Sequence, residues 1–159
     1  MAKKKKVADV EEKQGPSRTE QLRKLLQKKE YQDFAGDGVI GIGSDIAYEK
    51  LATPFFQVNR AMGGGFPRTK HTCISGHPGT GKTVLILHTI AYHQAKDPEF
   101  VAAFFDAEDA LDPAWMERLG IDLQRMVIVQ GLNKLEDYLD AYIKIARTGL
   151  VDMMVLDSI

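Results

Sequence analysis

The chain has 159 residues, of which 44% are hydrophobic and 27% charged, a composition typical of a folded globular domain and unlike a disordered chain. Lysine and arginine (21) nearly balance aspartate and glutamate (22), so bulk charge gives no argument for a nucleic-acid partner. The single cysteine excludes an intramolecular disulfide and no run of about 18 apolar residues is present to span a membrane, so we expect a cytoplasmic protein.

The chain begins with a segment that predicts a disordered basic tail over residues 1–16. Four consecutive lysines stand at positions 3–6, and Gly15 and Pro16 interrupt regular structure. Such a charge run is typical of a solvated chain end, and weak attraction to nucleic acid is the alternative interpretation.

A helix is predicted next, over residues 17–34. Ser17 and Glu20 can form a capping box, in which each side chain accepts a hydrogen bond from a free backbone N–H. The helix carries only a narrow apolar stripe, made of Leu22, Leu25 and Leu26. A stripe this thin cannot form a core alone, so we expect the segment to pack on its own domain or on a neighbouring subunit.

Residues 34–67 show no regular period. Glycines alternate with apolar residues over 34–43, as in loops and short strands. Residues 51–62 predict a short helix although Pro54 lies inside it, and the glycine-rich residues 63–67 predict a flexible turn.

From residue 72 onwards, short apolar strands alternate with helices. The predicted strands are 72–75, 100–106, 126–130 and 151–157, and the predicted helices are 83–95, 113–119 and 134–148. The last helix has an apolar face formed by Leu135, Tyr138, Leu139, Tyr142, Ile143 and Ala146. This alternation predicts an α/β fold with a parallel sheet and right-handed crossovers, in which Cys73 of the first strand is buried.

The loop between the first strand and its helix predicts a phosphate site. Its residues fit the pattern G-x-x-x-x-G-K-[ST] and are Gly76, His77, Pro78, Gly79, Thr80, Gly81, Lys82 and Thr83. Glycines let backbone N–H groups curl around phosphate oxygens, and the helix N-terminus favours an anion there. Lys82 is expected to reach the β and γ phosphates, and Thr83 to offer its hydroxyl to Mg²⁺.

Two carboxylates complete this predicted nucleotide site. Asp157 ends the last apolar strand, at the Walker B position of phosphate-loop proteins, where a carboxylate holds Mg²⁺, usually through water; Ser158 is a candidate to assist it. Glu108 lies two residues past the second strand, at the edge of a parallel sheet where ligands bind. It is a candidate to polarise the attacking water, and a solvated loop glutamate is the alternative.

These motifs resemble the bacterial and phage RecA recombinase family. The resemblance rests on residues 76–83, 105–113 and 151–158, and the middle segment is the most specific, since replicative helicases and eukaryotic-type recombinases match it less well. The likeness extends over residues 62–159 and is weaker, mainly in layout, over 17–59. It implies a phosphate-loop ATPase core of the RecA type, an α/β fold whose parallel sheet is flanked by helices.

The resemblance also implies roles for individual residues. Glu108 falls on the family's catalytic glutamate, which activates water. Asp112 and Trp115 fall where the family contacts the adenine ring, although the family commonly has tyrosine where this chain has Trp115; a helix cap and a core anchor are the structural alternatives. Residues 17–34 resemble the arm that packs on the next protomer of a filament.

The resemblance predicts a three-part organisation: a tail at 1–16, an oligomerisation arm at 17–45 and a truncated ATPase core at 46–159. Family members continue for well over a hundred residues past the Walker B strand, with both DNA-binding loops in that part. In the family, the strand that follows lies between the Walker B strand and the phosphate-loop strand. We therefore expect a gap in the sheet, and a fragment that is unstable or aggregation-prone alone.

The expected function of the full-length protein is that of a DNA-dependent ATPase and recombinase. With ATP and Mg²⁺ it would form filaments on single-stranded DNA, pair that strand with duplex DNA and exchange strands in recombination and repair. The alternative is a non-enzymatic fragment that caps the filaments of an intact recombinase. A hexameric helicase motor is a third hypothesis, which the segment 106–113 disfavours.

Overall fold

The computed structural model describes residues 15–35, 40–43 and 48–157; residues 1–14 of the predicted tail, parts of the predicted arm and Ser158 lie outside it. The chain divides between Tyr48 and Glu49 into two units. The first holds helices α1 (Arg18–Leu26) and α2 (Lys29–Ala35). The second holds β1 (Lys50–Leu51), α3 (Phe56–Ala61), β2 (Phe66–Pro67), α4 (Lys82–Lys96), β3 (Ala102–Asp106), α5 (Pro113–Arg118), β4 (Met126–Val129), α6 (Leu135–Ala146) and β5 (Met153–Asp157).

The first unit begins at the predicted capping box. Ser17 Oγ accepts a hydrogen bond from Glu20 N at 3.1 Å, and Glu20 Oε2 accepts one from Ser17 N at 3.2 Å. The prediction of one helix over 17–34 is wrong, because α1 ends at Leu26 and a new helix begins at Lys29. The side-chain amide of Gln32 donates to Leu26 O at 2.7 Å and so caps the end of α1.

The second unit opens with a two-stranded antiparallel sheet whose strands flank α3 in the sequence, where a helix and a flexible turn were predicted. β1 pairs antiparallel with β2, Leu51 opposite Phe66, and the helix starts only at Phe56. Pro54 disfavours helical backbone at Thr53, whose N–H and C=O bond instead to the Asn59 side chain. The turn needs glycine, since a Cβ at Gly65 (φ +125°) would lie 2.2 Å from a backbone oxygen of β1.

The predicted parallel sheet is confirmed for three strands. They lie in the order β4, β3, β5, so β3 is central, and each pair is parallel. All five residues of β3 are buried, as its continuous apolar run predicted. The register places Asp106, the last residue of β3, beside Asp157, the last residue of β5.

Helices cover both faces of this sheet. Ala102 and Phe104 of β3 belong to one core cluster with Leu87 and Ile90 of α4. Ala103 and Phe105 point to the opposite face, where Tyr138 of α6 is buried; the partly buried hydrophobic residues of that cluster include Ala141, Tyr142 and Ile145. The alternation of β3 side chains therefore separates two cores. The first turn of α4 lies next to the carboxyl ends of the strands.

Two predictions for the second unit are wrong. Residues 72–75 form no strand, and Cys73 is exposed rather than buried. A strand requires a partner for its backbone hydrogen bonds, and none of the strands in the described residues pairs with this segment. On α6, three residues of the predicted apolar face are two-fifths exposed or more, namely Leu135, Leu139 and Ile143.

Candidate functional site

The phosphate loop joins residues 71–75, which belong to no helix or strand, to α4. Gly79 (φ +76°) and Gly81 (φ +88°) have left-handed backbone, which residues with a Cβ rarely adopt. Gly81 is the N-cap of α4 and offers no side chain to cap it. The first-turn N–H groups of α4 are therefore not capped by Gly81, and they suit an anion at the positive end of the helix dipole.

Lys82 lies across this loop. Its ammonium donates to Gly76 O at 3.0 Å and to His77 O at 3.2 Å, so it closes the loop against its own helix. The Thr80 hydroxyl also donates to His77 O, at 2.8 Å, so this carbonyl accepts from two side chains of the loop. The loop is thus held by its own residues, and Pro78 stands at its exposed tip.

Thr83 and Asp157 are far apart in the sequence and adjacent in the structure. The Thr83 hydroxyl donates to Asp157 Oδ2 at 2.6 Å, which joins the first turn of α4 to the end of β5. Both side chains are half-buried. Two hard oxygen ligands therefore stand together beside the phosphate loop, as a magnesium site requires.

The loop after β3 brings Glu108 to the same edge of the sheet. Ala107 N donates to Asp157 O at 2.8 Å, so the residue before Glu108 is bonded to the end of β5. Glu108 itself is exposed, and its backbone N–H donates to the Asp106 carboxylate. The topology thus brings Thr83, Asp157 and Glu108 to the carboxyl ends of neighbouring strands.

Asp112 and Trp115 lie at the start of α5. Asp112 is the N-cap, as predicted, with its carboxylate 2.9 Å from Ala114 N. Trp115 is half-buried and packs against the core cluster that contains Phe104 and Leu87. Asp112 is therefore a helix cap and Trp115 a core anchor, and contact of these residues with adenine stays a prediction.

The residues present fit Mg²⁺ with a bound triphosphate. Among the described residues no group of three histidine, cysteine, aspartate or glutamate side chains could hold a metal alone. Mg²⁺, however, is usually held by one or two protein oxygens together with substrate phosphates and water. The Thr83 hydroxyl and the Asp157 carboxylate supply that number of protein ligands.

The side chains that hold the loop carrying Glu108 are not identified by residue spacing. Asp106, Asp109 and Gln130 all make hydrogen bonds between this loop and the residues after β4. The one available signal was Asp106, a carboxylate at the end of a strand that is otherwise entirely apolar. None of the helices in the described part is long and apolar enough to cross a membrane.

Comparison with known proteins agrees with these motifs. Residues 21–159 match the family model of the RecA N-terminal domain. The protein RecA of a Picosynechococcus species is 35% identical over 147 residues, which cover 91% of this chain and 41% of the relative. The RecA protein of Chlorobaculum parvum is 34% identical, over 91% of this chain and 42% of the relative. The RecA protein of Thermotoga petrophila is 36% identical, over 87% of this chain and 39% of the relative. The chain thus spans about 40% of the length of these relatives.

Proposed function

Because the chain belongs to the RecA family, we propose that it supplies the ATP-binding part of a DNA-dependent ATPase that acts in homologous recombination and DNA repair. The observation that carries this proposal is the contact between Thr83 and Asp157, made at the mouth of a phosphate loop. It unites the two motifs that a nucleotide site needs, although they lie 74 residues apart.

The phosphate loop would hold the triphosphate. Backbone N–H groups of the loop and of the first turn of α4 donate to phosphate oxygens, and the Lys82 ammonium exchanges its contacts with Gly76 O and His77 O for the β and γ phosphates. Thr83 and Asp157 would hold Mg²⁺, which when bound neutralises phosphate charge. On the adenine side, Asp112 and the Trp115 ring would contact the base.

Glu108 would position the attacking water and accept its proton. This role needs a carboxylate beside the phosphate end of the nucleotide, and the bond from Ala107 N to Asp157 O keeps the loop there. The full-length protein would form filaments on single-stranded DNA in the cytoplasm, exchange strands with duplex DNA and use ATP hydrolysis to turn the filament over. Residues 17–34 would contact the next protomer.

The experiment measures Mg²⁺–ATP binding and ATP turnover by the purified chain, with and without single-stranded DNA. In Glu108→Gln we expect turnover to fall by about 10²- to 10⁴-fold with ATP binding retained, since the amide cannot accept the proton. Glu117→Gln, on the exposed side of α5, is the matched control. Normal turnover in Glu108→Gln would refute the assigned role.

A second candidate function is a non-enzymatic one, favoured by the exposed leucines of α1. Leu22 is 47% exposed and Leu25 36% exposed, which leaves an apolar stripe available to another protein. In this role the chain would cap filaments of an intact recombinase. Absence of turnover, together with inhibition of an intact homologue that is lost in Leu22→Asp, would favour this candidate over the first.

A further inference from the structure

The carboxylate of Asp106, at the carboxyl end of the central strand, is buried and engaged through both oxygens. The residue is 2% exposed and accepts three hydrogen bonds. Its Oδ1 accepts from Glu108 N at 3.2 Å, and its Oδ2 accepts from Leu111 N and from Gln130 Nε2, both at 2.8 Å. The proposed nucleotide site uses none of these contacts.

Asp106 stands beside Asp157 in the sheet but is used differently. Asp157 points one oxygen at the Thr83 hydroxyl, whereas both oxygens of Asp106 are occupied by N–H donors. Such donors carry partial positive charge and would repel a cation at the same oxygens. The Asp106 carboxylate is therefore suited to fixing the backbone of the loop that carries Glu108.

Other contacts join the same loop to the residues that follow β4. The buried Tyr138 hydroxyl donates to Asp106 O at 3.1 Å and accepts from Leu132 N at 3.2 Å. Asp109, in left-handed backbone (φ +51°), accepts from Gly131 N at 2.9 Å. Three side chains thus tie residues 106–111 to residues 130–132, and Gln130 makes the link to the carboxylate itself.

We propose that Asp106 is a positioning residue for ATP hydrolysis: it fixes the loop that carries Glu108, and Gln130 couples that loop to the end of β4. The inference rests on the proposed function, in which Glu108 positions the attacking water. A carboxylate that holds the N–H of Glu108 and that of Leu111 restrains the loop on both sides of the catalytic side chain.

Asp106→Asn keeps the size of the side chain and replaces one acceptor oxygen with a donor. In either orientation of the amide, this donor faces a backbone N–H of the loop, that of Glu108 or that of Leu111. We expect kcat to fall by about 10- to 100-fold, because small misplacements of a catalytic group have effects of this size. The KM for ATP should stay within about twofold, because the phosphate loop is not altered. The double variant Asp106→Asn/Glu108→Gln should turn over ATP at the rate of Glu108→Gln alone.

The matched control is Asp122→Asn. Asp122 also holds a turn through its carboxylate, which accepts from Gln124 N and Arg125 Nε, but it precedes β4 at the opposite end of the strand. Its kinetics should equal those of the wild type. Should Asp106→Asn fail to fold, Gln130→Leu tests the same role. Gln130 is exposed, and its replacement removes one hydrogen bond to Asp106. The kcat should then fall by about 2- to 10-fold.

Amide hydrogen exchange gives a second readout that needs no turnover. Asp106→Asn should accelerate exchange at Glu108 and Leu111 and leave Gln124 unchanged, and Asp122→Asn should do the reverse. The positioning role alone is overturned by either of two results. One is unchanged exchange at Glu108 and Leu111 in Asp106→Asn. The other is a double variant whose kcat falls by the product of the two single-variant losses. A wild-type chain that neither binds nor hydrolyses ATP overturns the proposed function, and the positioning role falls with it.

Discussion

Two loops carry the proposed nucleotide chemistry, and they are held in different ways. The loop after β3 extends from the central strand of the sheet and is tied to its neighbours through the buried side chains of Asp106 and Tyr138. The phosphate loop follows residues 71–75, which belong to no strand, and is closed mainly by its own Lys82 and Thr80. One loop is fixed by the fold and the other by local contacts.

This difference separates two kinds of information in the sequence. A phosphate loop is a local device, because its glycines, its lysine and its helix N-terminus lie within eight consecutive residues. The loop after β3 depends on residues that β4 and α6 supply, more than twenty positions away. Stability should therefore reside around β3, and nucleotide affinity around Lys82.

The largest expected effect concerns stability. Phe105 is fully buried in β3 and packs against the Tyr142 ring, so Phe105→Ala should lower the free energy of unfolding by about 3–5 kcal/mol. Ile74, in the segment before the phosphate loop, is only partly buried, and Ile74→Ala should cost about 1–2 kcal/mol. Urea unfolding measures both, and equal costs would contradict the difference between the two regions.

The contrast explains which parts of the fold the sequence predicts. β3, β4, β5 and the bounds of α5 were predicted to within two residues, because apolar runs, the Asp112 cap and Pro113 act locally. Residues 72–75 were wrongly predicted as a strand, because their residue types favour one but pairing depends on a neighbour elsewhere in the chain. The antiparallel pair of β1 and β2 was not predicted, because a strand of two residues is too short to show an alternation of polar and apolar residues.

The candidate site shows the same limit. Residue types at fixed spacing identified Lys82 and Thr83, and the end of an apolar strand identified Asp157. The support of the Glu108 loop involves Gln130 and Tyr138, whose partners are set by strand order and register. Tyr138 was placed on an apolar helix face from its spacing, but its hydroxyl contacts could not be predicted from that spacing.

Lys82→Ala should produce the next largest effect, on nucleotide affinity. Loss of charge-assisted hydrogen bonds to phosphate costs about 1.5–3 kcal/mol, so Mg²⁺–ATP should bind about 10- to 150-fold more weakly by calorimetry. Lys96→Ala is the matched control, since Lys96 ends the same helix and contacts Tyr92. An unchanged affinity in Lys82→Ala would show that the phosphate lies elsewhere.

A smaller effect is expected from Thr83→Ala, which removes the hydroxyl bound to Asp157. The dependence of ATP affinity on Mg²⁺ should weaken by about 2- to 10-fold, because one oxygen ligand is lost at a cost near 1 kcal/mol. Binding without Mg²⁺ should stay near wild type, and Thr83→Ser should restore the Mg²⁺ effect. Equal loss with and without Mg²⁺ would assign Thr83 to the phosphates instead.

The smallest expected effect concerns stability at low pH, and it arises at the end of the strands opposite the proposed nucleotide site. The Arg125 side chain donates to the Asp122 carboxylate, as does Gln124 N, and these bonds hold the pKa of Asp122 below its ordinary value of 3.8. A lowered folded-state pKa stabilises the fold above that ordinary value, and this contribution is lost as the pH falls through the lowered pKa.

The difference in unfolding free energy between wild type and Asp122→Asn should therefore be constant near neutral pH and shrink below about pH 4. Urea unfolding between pH 3 and pH 7 measures it, with ATP binding at neutral pH as the control. Since Asp122 precedes β4 and both loops of the proposed nucleotide site lie past the other ends of the strands, the variant should bind ATP as the wild type does. A constant difference across this range would mean that the contact with Arg125 contributes nothing to acid stability.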